Sequence, residues 1–147
     1  MDNQKLECAV EREMREQGIS YDEAIQRQQI RDAHMIEQYG WLAHVITDEP
    51  TSHTHGLEET CGHLDFQIWL PTTPQKHYQL LAALAQAVMD GKRFEASQED
   101  NTVFIVPVRF VKREETRRTV LRAIFPDQHG KWPGEPGCEP GFNEQLD

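Results

Sequence analysis

The stretch His63-Leu64-Asp65-Phe66-Gln67-Ile68-Trp69-Leu70, followed by Pro71-Thr72-Thr73-Pro74, decides the fold. Leu64, Phe66, Ile68 and Leu70 alternate with Asp65, Gln67 and Trp69, which is the period of a strand with one buried face. The prolines break that strand and open a helix over about residues 75–90. There Leu80, Leu81, Leu84 and Val88 make an amphipathic face among good helix formers, and Gly91 caps the end.

Working outward, the C-terminal side offers two more strands. Residues 102–112 carry Val103, Phe104, Ile105, Val106, Val108, Phe110 and Val111, with Pro107 marking an edge or a bulge. Residues 117–125 set Thr119, Leu121, Ala123 and Phe125 on one face, and Arg118, Val120, Arg122 and Ile124 on the other. Glu114-Glu115-Thr116 reads as the hairpin between them, so the pair is expected to be antiparallel. Phe94 to Asn101 reads as a polar connection. On the N-terminal side, Trp41-Leu42-Ala43-His44-Val45-Ile46 is rich in strand formers, with Trp41, Ala43 and Val45 on one face, and residues 48–52 form a loop.

Residues 1–40 read as a helical arm. Leu6, Val10 and Met14 make a thin stripe that Gly18 ends. Ser20 and Glu23 have capping-box spacing for a second helix over residues 21–39, with Gly40 as its stop. The last 22 residues hold four prolines and four glycines and are expected to be irregular. The chain thus divides into an arm (1–40) and an α+β domain with its tail (41–147), forming one folding unit.

Composition narrows the function. Lys and Arg number 15 against 25 Asp and Glu, a net charge of −10, which argues against a general nucleic-acid binder. No apolar run approaches the length of a membrane span. Residues 1–5 lack the apolar core of a signal peptide. Cys8, Cys61 and Cys138 are odd in number and far apart, and read as reduced thiols in a cytoplasm. Charge is uneven. Residues 41–70 hold five acids and no Lys or Arg, whereas residues 111–125 hold five basic and two acidic groups.

The tail, Phe125-Pro126-Asp127-Gln128-His129-Gly130-Lys131-Trp132-Pro133-Gly134-Glu135-Pro136-Gly137-Cys138, resembles the closing motif of the bacterial domain of unknown function 4262 family, with Phe125 and Gly134 where that motif usually has Trp. Gln38-Tyr39-Gly40-Trp41, Gly56-Leu57 and Gly62-His63-Leu64-Asp65 follow the family's order. The last of these stands where Gly-His-Pro-Glu is usual. The resemblance covers about residues 30–140. It implies an α+β domain, a mixed or antiparallel sheet with one packed helix, and it implies no reaction. With the elements above, this makes a sheet of four to five strands. Where many members carry an aromatic-apolar run before Gly-Leu, this chain has Ser52-His53-Thr54-His55, so any role for those histidines is local to it.

His53, His55, Cys61, His63 and Asp65 are the candidate metal ligands. On extended backbone His53 and His55 share a face, as do Cys61, His63 and Asp65, so two adjacent strands offer nitrogen and sulfur donors suited to zinc. Three ligands and an open position suit hydrolysis by a bound water, with Glu58 or Glu59 as a base. The plain structural alternative is a polar loop whose histidines bond backbone carbonyls, and the spacing fits no structural zinc module. A Cys61–His63 nucleophile pair is disfavoured by the surrounding acids. Trp132 and Glu135 become ligand-binding candidates beside His53, His55 and Glu58 if the tail forms a pocket wall over the histidines. Lys112, Arg113, Arg117, Arg118 and Arg122 are expected to pair internally.

The leading expectation is a non-catalytic protein-binding module of inhibitor or immunity type, whose acidic surface steers a basic partner. No cofactor is then required. The alternative is a metal-dependent hydrolase or small-ligand binder using the histidine set, with zinc. A homodimer through the arm is a third.

Overall fold

The computed structural model describes residues 9–45, 50–115 and 117–147, with side chains from residue 12. Leu6, Cys8, Ile46, Asp48, Glu49, Thr116 and the Val10 side chain lie outside the described residues.

The arm is a helical hairpin, α1 (Ala9–Gln17) and α2 (Tyr21–Tyr39). Glu13 accepts two guanidinium bonds from Arg31, at 2.9 and 2.6 Å, which ties the two helices together. Ser20 caps α2 by accepting from the Glu23 amide, while the Glu23 carboxylate pairs with Arg27 instead of reaching back, and Gly40 closes the helix in the left-handed conformation.

A six-stranded sheet follows, in the order β1-β2-β3-β6-β5-β4. Its strands are β1 (Leu42–Val45), β2 (Thr51–His55), β3 (Phe66–Trp69), β4 (Glu99–Asp100), β5 (Val108–Glu115) and β6 (Arg118–Ile124). Every pairing is antiparallel except β3 with β6, so the sheet is mixed. Between β2 and β3 runs the short helix α3 (Leu57–Cys61), and α4 (Pro74–Met89) follows β3.

One sheet face is apolar. Phe66, Ile68, Phe110, Leu121 and Ala123 meet Leu80, Leu81, Leu84 and Val88 of α4 in a single core, with Phe94 and Phe125 at its rim. All but Phe94 are residues that the period-two and helical patterns nominate; Phe94 opens the stretch expected to be a polar connection, yet its ring is buried against Phe66 and Phe110. His77 of α4 joins the core to β2: its ring lies 2.6 Å from the Ser52 hydroxyl and donates to Leu70 O at 2.9 Å.

Six strands exceed the expected four to five because β2 and β4 lack the usual signal. β2 reads Thr-Ser-His-Thr-His without one aliphatic residue. It stays in the sheet because Ser52 and Thr54 are buried on the α4 side with their hydroxyls satisfied, by His77 and by Asp65 and the Phe66 amide. The strand expected from residue 102 begins only at Val108. Pro107 offers no amide to the ladder, and residues 101–107 are irregular.

The tail is more ordered than its composition suggests. Asp127 is buried and accepts from the amides of His129, Lys131 and Glu139 at 2.9–3.0 Å. Helix α5 (Pro140–Asn143) and a 3-10 turn (Glu144–Leu146) follow. Gln145 is fully buried and bonds both the amide and the carbonyl of Phe125 at 2.7 Å, which clamps the chain end to β6.

Candidate metal centre

The sheet face turned away from α4 is polar. Antiparallel register sets His44 of β1 directly opposite His53 of β2, and Leu42 opposite His55. Because cross-strand partners share a face, and His53 and His55 are two residues apart, all three imidazoles gather on one side. Their ring centroids stand 4.6–5.4 Å apart. One nitrogen of each lies within 4.8 Å of the others. Among the described residues this is the one group of three or more His, Cys, Asp or Glu that converges in this way.

The hydrogen bonds around the rings assign their tautomers. His44 Nε2 lies 3.1 Å from Asp32 Oδ2 of α2. His53 Nδ1 lies 3.0 Å from Glu115 Oε1 at the end of β5. A carboxylate only accepts, so each of those nitrogens carries the hydrogen of its neutral ring. The other nitrogens, His44 Nδ1 and His53 Nε2, then face each other at 3.4 Å as two bare lone pairs. Such a pair is repulsive unless a proton or a cation lies between. Burial pulls the His44 ring below its ordinary value, against the opposing pull of Asp32. Two imidazole nitrogens on a tetrahedral ion at about 2.0–2.1 Å stand about 3.3–3.4 Å apart.

His55 completes the set. Burial first, then the nearby Arg118 guanidinium and the other two rings, push it down to about 3, so it is neutral at ordinary pH. Its ring makes no hydrogen bond among the described residues. Its lone pair is therefore available to an ion.

A second layer braces the first. Glu115 would be raised by burial, but the bonds from His53 and Arg118 hold it at about 2. Gln67 donates to Glu115 at 3.2 Å and accepts from Arg122 Nε at 2.7 Å. Arg122 Nη1 in turn donates to the carbonyls of Gln145 and Asp147, both at 2.8 Å. Carboxylate–imidazole pairs of this kind fix the tautomer and orientation of ligating histidines.

Of the five expected ligands, the structure brings together His53 and His55. Cys61, His63 and Asp65 are not in one extended run, because Cys61 ends α3 and Gly62 turns the chain through a left-handed cap. Cys61 Sγ sits 3.3 Å from Met89 Sδ. His63 is buried with both nitrogens engaged, Nδ1 donating to Leu64 O at 2.7 Å and Nε2 accepting from the Phe94 amide at 3.0 Å. Asp65 accepts from Thr54 Oγ1 at 2.8 Å and the Leu57 amide at 3.2 Å, and its second oxygen lies 3.4 Å from Arg118 Nη1. Thr54 alternates with His53 and His55 and points to the other side of β2. His63 and Asp65 thus bond within the fold and stand outside the imidazole group.

The expected pocket wall is corrected too. Trp132 stacks on Arg109 at 3.8 Å. Arg109 pairs with Ile124, so the tail does share the face of the histidines. Trp132 thus lies over β5, three strands away from β2, while the chain end reaches β6 and β3 and is linked to the imidazoles through Arg122, Gln67 and Glu115. Glu135 is exposed in the tail and Glu58 is exposed on α3; neither contacts the rings. Of the basic strand, Arg118 makes ion pairs with Glu115 and Asp65, and Arg113 donates to Leu146 O at 3.0 Å; Lys112 and Arg117 have no ion pair among the described residues.

His44 is a candidate ligand that no local pattern singles out. It alternates with Ala43 and Val45, so its face was legible, but its neighbour was not.

Residues 35–139 match the model of a family described as a domain of unknown function, DUF4262, which spans more than two-thirds of the chain. The chain belongs to the DUF4262 family. No curated protein and no solved structure matches it. His44, His53, His55 and Glu115 lie inside the family segment of this DUF4262 protein, and Asp32 lies outside it. Among the described residues no helix is long and apolar enough to cross a membrane.

Proposed function

We propose that this protein is a metal-binding protein in which His44, His53 and His55 hold one zinc-type ion, leaving a coordination position open to water or to a donor atom of a small ligand. One observation carries this reading: His44 Nδ1 and His53 Nε2 stand 3.4 Å apart, with the opposite nitrogen of each ring on a carboxylate, and His55 beside them. Three neutral imidazoles suit zinc and its neighbours among the first-row metals, and not magnesium or calcium, which take oxygen. An ion so held acts as a Lewis acid and lowers the pKa of a bound water, the chemistry of hydrolysis.

The docking-module reading keeps different support. The net charge of −10 favours a basic partner, and Tyr21, Ile30, Met35 and Tyr39 of α2 are exposed. The free thiols Cys61 and Cys138 suit a reducing cytoplasm. None of these supplies a geometry as specific as the imidazole cluster.

Elemental analysis of the full chain, loaded with zinc and then dialysed, tests the proposal. About one zinc per chain is expected. His44→Ala, His53→Ala and His55→Ala should each lose it, while Cys61→Ser keeps it. A folded wild-type chain that retains neither zinc nor cobalt would overturn the proposal, as would full retention after His53→Ala.

A further inference from the structure

We infer that the helical arm is part of the metal centre: Asp32 of α2 is a positioning residue for His44, so that ion binding and docking of α2 on the sheet strengthen each other. This rests on the metal-binding reading above.

α2 has few attachments to the sheet. Ala24 is its one buried residue. Ile36 packs beside Gly56, at the turn that follows His55. Asp32 provides the polar link, one oxygen accepting from His44 Nε2 at 3.1 Å while Gln28 donates to the other at 2.8 Å. Gln28 therefore fixes the carboxylate, and the carboxylate fixes the His44 ring with Nδ1 turned towards His53.

The coupling follows from the chemistry of the ring. An ion on Nδ1 withdraws electron density from the imidazole and makes its Nε2–H a stronger donor, so the bond to Asp32 tightens. Reciprocally, a docked Asp32 raises the basicity of Nδ1 and holds the tautomer that binds. Two ligands of one element that favour the same state must help each other by the same factor. The arrangement is asymmetric between the two braced rings. Glu115, which holds His53, belongs to the sheet and to the family segment, whereas Asp32 comes from a helix that begins outside that segment. The arm thus adds to this chain a control on a centre whose other parts lie in the family segment.

The test uses the full chain and zinc or cobalt alone. Affinity is measured by competition with a chromophoric chelator for wild type, Asp32→Ala and Asp32→Glu. Amide hydrogen exchange of residues 21–39 is followed with and without zinc. Expected are an affinity about 10–100-fold weaker in Asp32→Ala, partial rescue in Asp32→Glu, and slower exchange of α2 in the wild type on adding zinc, with no such slowing in Asp32→Ala. Wild type that binds zinc with unchanged α2 exchange, or Asp32→Ala that binds as tightly as wild type, would overturn the inference and leave the metal centre standing. Wild type that binds no ion would instead overturn the metal-binding reading. The exchange measurement on wild type needs no substitution, so a misfolded variant does not remove the test.

Discussion

Gly56 stands between the arm and the histidines. Its φ is +101°, and a Cβ there would lie 2.9 Å from two carbons of Ile36 and 3.0 Å from the Gly40 carbonyl. Both the backbone conformation and the space exclude a side chain. Gly56→Ala is expected to cost about 1–3 kcal/mol, read as a lower midpoint in urea unfolding; an unchanged midpoint would mean that Ile36 does not pack there. The Gly56-Leu57 pair was legible in the sequence as a motif, but its reason was not, because Ile36 lies 20 residues away and no local pattern joins the two. The same holds for His44. A period of two gives its face; only register gives its partner.

At the scale of the element, the tail shows how a segment without periodicity becomes ordered. Asp127 replaces a ladder with a hub, accepting three amides within one irregular segment. Burial would raise its carboxyl, but those amide bonds, with His129 beside it, hold it below the usual carboxylate range. The folded form therefore binds this proton less readily than the unfolded chain. Its stabilising effect is fully present above the unfolded value of about 3.9 and is lost as the pH falls through the lower, folded value. Asp127→Asn should flatten the acid side of the stability curve, seen as a smaller drop in unfolding midpoint between neutral pH and the acid limb than wild type shows. An equal drop in both chains would remove Asp127 from the account. Pro and Gly content announced a tail without regular structure, and the structure corrects this with the short helix α5 and the 3-10 turn. Composition did not announce Gln145, which is fully buried and clamps Phe125 from both sides.

For the whole molecule, the sheet separates two tasks. The α4 side holds the apolar core, and the opposite side carries a polar relay from α2 through His44, His53, Glu115, Gln67 and Arg122 to the chain end. An ion at the imidazoles would bind the folded form alone, since the three rings come from two strands. Free zinc at 100 times its dissociation constant should then stabilise folding by about 2.7 kcal/mol, raising the thermal midpoint, with the rise absent in His53→Ala. A midpoint indifferent to zinc in the wild type would speak against the centre.

Local patterns alone determined the α+β class, the apolar faces of β3, β6 and α4, the caps of α2, and the family, because each depends on residues within one turn or one strand of each other. The tertiary structure alone decided which donors meet. Register placed His44 beside His53, the turn at Gly62 carried Cys61 and His63 away, and α2 brought Asp32 to the ring. Those are choices of pairing between distant segments, set by packing energy summed over the whole sheet, and no stretch of the chain contains them by itself.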